Sequence, residues 1–71
     1  MNHFQNNHWV VFFDGTSAIV MDEYDYDNCD HKEELTFMKG YTFHQDQQAF
    51  AYAAHKNETE IFDHVHYQKN F

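Results

Sequence analysis

The chain contains no proline and no arginine, only two glycines, one cysteine and a single leucine. The missing arginines and the four lysines stand against twelve acids, so the formal net charge is 4 − 12 = −8 with histidine neutral. A nucleic-acid binder of the ordinary basic kind is excluded, because such proteins neutralise phosphates with Lys and Arg. Docking on an anionic membrane surface is disfavoured for the same reason. Long apolar runs are also missing. The longest, Trp9-Val10-Val11-Phe12-Phe13, falls far short of the about 20 residues a membrane-spanning helix needs. Residues 1–8 have neither a basic start nor an apolar core, so no secretory leader is expected. With Cys29 alone, no intrachain disulfide can form, and a reducing cytoplasm is the expected compartment. Without linkers or repeats, the 71 residues predict one domain, 1–71, opening with a polar, fraying arm at 1–8.

Aromatic residues are abundant by contrast: Trp9, five tyrosines and eight phenylalanines make up 20% of the chain. Disordered acidic segments lack such rings, so a folded core is expected. A chain of this size buries only about 60% of its surface. With one Leu, two Ile and four Val, the core must draw on rings, Met and Ala. Trp9, Phe12, Phe13, Phe50 and Phe62 are its first candidates. Rings left outside would suit a homodimer interface.

The residue pattern predicts an α+β domain, a small antiparallel sheet (β-β-β-α-β) with one helix packed on it. His8–Phe13 has strand composition, and Asp14-Gly15 after it signals a two-residue type I′ hairpin loop. That loop would place Phe13 opposite Thr16, Val11 opposite Ala18 and Trp9 opposite Val20. The returning strand would run from Thr16 through Met21. Tyr24 and Tyr26 alternate with Glu23, Asp25 and Asp27, which extends the same strand at period 2. Asn28-Cys29-Asp30-His31 reads as a turn, and Leu35–Tyr41 as a third strand with Gly40 at a bulge or exit. Thr42 and Gln45 fit a capping box, opening a helix over 43–56 with Phe43, Phe50 and Ala54 in one apolar stripe. Asp46 early and Lys56 late suit the helix dipole, and Asn57 is a reasonable stop. Thr59–Gln68 reads as a last strand, or in part as helix.

Seven of the twelve acids fall within residues 22–34: Asp22, Glu23, Asp25, Asp27, Asp30, Glu33 and Glu34, against Lys32 alone. On a strand, Glu23, Asp25 and Asp27 would line one face about 6.8 Å apart. That approximates the separation of successive phosphates on a DNA strand, which carries one charge per about 3.4 Å of axis. Asp30, Glu33, Glu34 and Asp46 could supply a second row. Such a surface would attract the basic groove of a DNA-binding protein. The plainer alternative is a solvated edge that keeps a small sheet soluble. Clustering of like charge costs stability, and −8 is at the limit of what solubility asks of a small domain. Both points favour a use for the charge.

The short acidic chain, the aromatic core and the hairpin with an acid-rich second strand resemble the small DNA-mimic proteins of bacteriophages. The stretch Lys39-Gly40 with Phe50 and Thr59-Glu60-Ile61 is similar to the later half of short phage inhibitors of uracil-DNA glycosylase. The resemblance implies a non-enzymatic inhibitor in the cytoplasm of an infected host. It would occupy the DNA-binding surface of a basic host protein, with no direct nucleic-acid or membrane contact. Targets of such proteins include HU-type histone-like nucleoid proteins, uracil-DNA glycosylase and defence nucleases; the HU type is the first candidate. Asp22, Glu23, Asp25, Asp27, Asp30, Glu33 and Glu34 would then act as phosphate surrogates, with Tyr24 and Tyr26 as aromatic anchors. A small interaction module using aromatic and β-edge contacts is the alternative.

Other chemistry has weaker support. His64 and His66 share a strand face and could join Cys29 or His31 at zinc, but no C-x2-C pair or His-x3-His pair is present, so no metal or other cofactor is expected. A calcium loop beginning at Asp25 fails, with Cys29, Asp30 and Thr36 at the third-ligand, glycine and bidentate-Glu positions. Ser17 is the lone serine, and Cys29 lies among acids that suppress a thiolate, so no catalytic role is expected. Protonation of all seven histidines would bring the charge to −8 + 7 = −1, so electrostatic binding should weaken below about pH 6.

Overall fold

The computed structural model describes residues 3–61. Three strands, β1 (Trp9–Phe13), β2 (Ala18–Met21) and β3 (Thr36–Tyr41), form an antiparallel sheet in the order β2-β1-β3. A short helix, α1 (Glu23–Asp27), and a 3₁₀ turn at Lys32–Glu34 lie between β2 and β3. A second 3₁₀ turn (Phe43–Gln45), the helix α2 (Asp46–Lys56) and a π-helical turn (Asn57–Ile61) follow. The expected α+β architecture is present, with one main helix. Of the fourth strand predicted over Thr59–Gln68, residues 59–61 belong to the π-helical turn and the rest lies outside the described residues.

β1 is central and buried on both faces. Val10, Val11 and Phe12 have no exposed surface, and each such side chain contributes roughly 1.5–3 kcal/mol of burial. Alternation sends them to opposite sides. Val11 meets Ala18, Tyr41, Ala49 and Ala53 beneath α2. Val10 and Phe12 join Phe4, with Ile19, Met21, Tyr26 and Leu35 around them.

The second cluster corrects the expectation of a fraying arm. Phe4 is buried, and the His3 ring stacks on Phe37 at 5.3 Å and sits edge-on to Phe12 at 5.5 Å. Asn7 Nδ2–H donates to the His3 carbonyl at 3.0 Å. Two rings in a polar octet outweigh its polarity because Val10 and Phe12 otherwise face water on that side.

The hairpin register is two residues from the expected one: Phe13 pairs with Ala18, Phe12 with Ile19, Val11 with Val20 and Val10 with Met21. The loop tip is Gly15-Thr16. Asp14 closes it, donating its N–H to the Ser17 carbonyl at 3.1 Å while its carboxylate accepts from Thr16 and Ser17 N–H, both at 2.8 Å. Gly15 has φ +99 and, among the described residues, no non-glycine residue has positive φ, so a type I′ turn, which needs two such residues, is ruled out. The Asp side chain, by bonding backbone two and three residues on, moved the turn forward.

The bulge in the β1–β3 ladder also sits elsewhere than predicted. Val11 pairs with Lys39 and Phe12 with Phe37, so Met38 is the extra residue. Gly40 instead admits the arm: the Asn7 carboxamide occupies the space a Cβ at Gly40 would fill.

The helix expected over 43–56 begins as the 3₁₀ turn Phe43–Gln45, opened by the Thr42–Gln45 capping box, in which Gln45 Oε1 accepts from Thr42 N–H at 2.9 Å, and becomes α2 from Asp46. Its buried face differs. Ala49 and Ala53 are buried, flanked by Tyr52, whereas Phe43 is 61% and Phe50 56% exposed. Ala54 is exposed as well. Small side chains let the helix backbone approach Val11 and Ala18, where a phenylalanine would hold it off. Asn57 caps the helix with helical φ and ψ, so the chain does not stop but widens into the π-helical turn. The Asn57 side chain latches the sheet edge. Its Oδ1 accepts from Ala18 N–H at 2.6 Å, and its Nδ2–H donates to the Ala18 carbonyl at 3.1 Å.

Candidate functional site

The acid-rich segment leaves the sheet after Met21. Asp22 is an N-cap, its carboxylate accepting from Asp25 N–H at 2.8 Å. Glu23 and Asp25 occupy the first turn, where the helix dipole favours negative charge. Tyr26 N–H donates to the Asp22 carbonyl at 3.0 Å, and Asn28 closes the helix with its backbone and side-chain N–H groups on the Tyr24 carbonyl at 3.2 and 2.8 Å. The alternating Glu-Tyr-Asp-Tyr-Asp sequence is compatible with strand period, but the cap and the dipole decide for helix.

This overturns the strand-borne row of charges. At about 100° per residue, Glu23 and Asp27 share one side of α1, separated by about 6 Å along its axis, and Asp25 projects from the other. All three are exposed. Asp30 follows in a turn, and Glu33 and Glu34 lie in the 3₁₀ turn, held by Glu34 N–H to His31 carbonyl (3.1 Å) and Leu35 N–H to Lys32 carbonyl (3.0 Å). These three are exposed too, and Asp22 is half-buried. Asp46 does not extend this surface, because it opens α2, which packs on the opposite face of the sheet.

Two side chains fasten the segment to the sheet. Tyr26 stacks on Phe12 with ring centroids 5.2 Å apart and leans on Phe4 at 5.6 Å. Leu35 packs on the same cluster at the other end. Tyr26 therefore belongs to the core and is not an anchor for a partner, since its ring fills the side of α1 that faces Phe12. Tyr24 is 75% exposed and available.

The three lysines among the described residues are drawn toward rings. Lys32 Nζ lies 5.6 Å from the Tyr26 ring centroid, Lys39 Nζ 5.7 Å from Tyr41 and Lys56 Nζ 5.4 Å from Tyr52. Such contacts contribute about 0.5–1 kcal/mol at exposed sites. The lysine inside the acidic segment is thus directed at an aromatic face.

Cys29 is half-buried and its N–H donates to the Tyr26 carbonyl at 3.1 Å. Among the described residues no group of three or more His, Cys, Asp or Glu is placed to hold a metal ion. His64 and His66 lie outside the described residues. Among the described residues no helix is long and apolar enough to cross a membrane. Sequence reasoning missed the exposed phenylalanines, Phe37 (44%), Phe43 and Phe50. Nothing in their spacing distinguishes them from core rings.

Compared with known protein families, curated proteins and solved structures, the chain matches none.

Proposed function

We propose that the protein is a non-enzymatic, phage-encoded DNA mimic acting in the cytoplasm of an infected host. It binds a basic host DNA-binding protein, first an HU-type histone-like nucleoid protein, and excludes DNA from it. One observation carries this reading. The seven carboxylates of residues 22–34 lie on a segment fastened at Tyr26 and Leu35, six of them are exposed, and the segment's lysine is turned onto the Tyr26 ring. Carboxylates held on a fastened backbone attract a basic groove with little ordering cost on binding. The charge is presented by a helix and turn and not by a strand. Glu23 and Asp27 form one edge, Asp25 the other, and Asp30, Glu33 and Glu34 widen the field. Tyr24 supplies an aromatic contact beside them.

The test is competition with fluorescent duplex DNA for a purified HU-type protein. Affinity should fall at least about tenfold between about 50 and about 300 mM salt, as exposed charges are screened. The double substitution Asp25→Lys, Asp27→Lys should abolish competition while leaving the circular dichroism unchanged. Indifference to salt would remove charge mimicry as the explanation. Should no HU-type protein bind, capture from bacterial lysate at low salt with elution by duplex DNA identifies another basic target.

A further inference from the structure

Helix α2 is apolar toward solvent as well as toward the sheet. Ala49 and Ala53 are buried beneath it, yet Phe50, Ala51 and Ala54 are exposed. From Gln47 through His55 the helix carries no Asp, Glu or Lys. A helix on a domain surface ordinarily turns charged and polar residues outward. At about 100° per residue, Phe50, Ala54 and Asn57 fall on one flank, within about 60° of one another. Asn57 fixes one end of that flank beside β2, through Ala18. Rings gather at the other end. Trp9 lies 6.3 Å from Phe50, its Nε1–H donates to the Phe43 carbonyl at 3.1 Å, and the Phe43 ring is exposed.

We infer that residues 62–71 turn back beyond Ile61 and cover this flank, bringing Tyr67 and Phe71 onto Phe50, Phe43 and Trp9. Reach, composition and charge all select this occupant. The helix and its π-helical turn deliver the chain to residue 62 at the end that Asn57 fixes. Ten extended residues span about 33 Å. Phe50 and Asp46 lie about 16 and about 22 Å back from Ile61 at 1.5 Å per residue. A reversed segment therefore brings Tyr67 to Phe50, and Lys69 to Asp46, the one acid of α2. Phe62, Val65, Tyr67 and Phe71 supply the apolar side chains, and the charges of Asp63 and Lys69 cancel. A second copy on the same flank would bring −8 against −8 and lose the freedom that a tethered segment does not. The other exposed rings suit the segment less. Phe37 is on the opposite face of the sheet, where the His3 ring already stacks on it, and Tyr24 stands among carboxylates.

Thermal melts of the full chain and emission from Trp9, the sole tryptophan, test this. Phe50→Ser is the perturbation, because Ser and Phe have similar helix propensity. In the wild type it should lower the melting temperature by at least about 4 °C, as loss of a covered ring does in a domain of this size. In a Tyr67→Ser, Phe71→Ser background the same change should lower it by less than about 2 °C, since the two sites share one contact. That background should also shift Trp9 emission to the red and increase its quenching by acrylamide, with the chain still folded by circular dichroism. Tyr67→Ser alone should move emission and quenching the same way, which decides the matter even where the double variant fails to fold. A Phe50→Ser melt within about 2 °C of wild type overturns the inference. So does an equal loss in both backgrounds, or Trp9 emission indifferent to the substitutions at 67 and 71. A Phe50→Ser loss that grows between about 5 and about 200 µM protein overturns it in favour of a second copy on this flank.

Discussion

The Asn57→Ala variant tests how the helix layer is held to the sheet. Asn57 contributes two hydrogen bonds to Ala18, at 2.6 and 3.1 Å, with no other described residue serving that edge position. A net hydrogen bond contributes about 0.5–1.5 kcal/mol, so the pair amounts to about 1–3 kcal/mol. Ala18 is buried, so its amide and carbonyl recover little from solvent. One term opposes the loss: Asn57 has helical angles, φ −64 and ψ −35, where alanine is favoured over asparagine by up to about 0.7 kcal/mol. The balance is a destabilisation of about 1–2 kcal/mol. For a domain of this size each kcal/mol shifts the melting temperature by about 4–8 °C, so a fall of about 4–16 °C is expected. Thermal melts followed by circular dichroism give the answer. Asn57→Asp keeps the acceptor, loses the donor and adds charge at the helix C-terminus, so it should melt no higher than the alanine variant. A melting temperature within about 2 °C of wild type for Asn57→Ala would refute the latch.

Three other outcomes follow from the same reasoning. Gly40→Ala drives a methyl into the Asn7 carboxamide and should cost about 1–3 kcal/mol. Adding Asn7→Ala removes the collision, so denaturation of the double variant should show clear non-additivity. Asp22→Ala deletes the cap on Asp25 N–H and should lower stability by about 0.5–2 kcal/mol, whereas Asp27→Ala, exposed at the helix end, should stay within about 0.5 kcal/mol of wild type. Burial, and then the neighbouring Tyr52, raises the Tyr41 phenol above its ordinary 10.0. Because the neutral phenol is the form the fold favours, this contribution is intact below about pH 10 and is lost as pH rises through the raised value. Denaturant titrations on either side of that range should therefore show a steeper alkaline loss in wild type than in Tyr41→Phe.

Much of the scaffold could be read from residue types alone. The aromatic and β-branched run at Trp9–Phe13 is β1, the Thr42–Gln45 pair caps the 3₁₀ turn that leads into α2, and Asp46 and Lys56 bracket that helix. What was illegible came from competition between side chain and backbone, or from packing at a distance. Asp14 and Asp22 each bond backbone amides. One moved the hairpin tip and the other turned an apparent strand into α1. The same event split the expected row of Glu23, Asp25 and Asp27 between two sides of a helix, while leaving the acids of residues 22–34 together and, apart from the half-buried Asp22, exposed. Phe4 and Tyr26 were drawn inward by Phe12, a contact no local pattern encodes, and Ala49 and Ala53 displaced Phe50 because closeness to the sheet mattered more than side-chain size.

β1 has a consequence for how the molecule comes apart. Its two faces serve separate half-cores, one under the alanines of α2 and one under Phe4 and Tyr26, and neither is large enough to persist by itself. They share a single wall five residues wide. Loosening either side strips that wall of half its support, so the arm and the main helix should be lost together in one step, and the amides of Val10, Val11 and Phe12 should be the last in the domain to exchange with solvent.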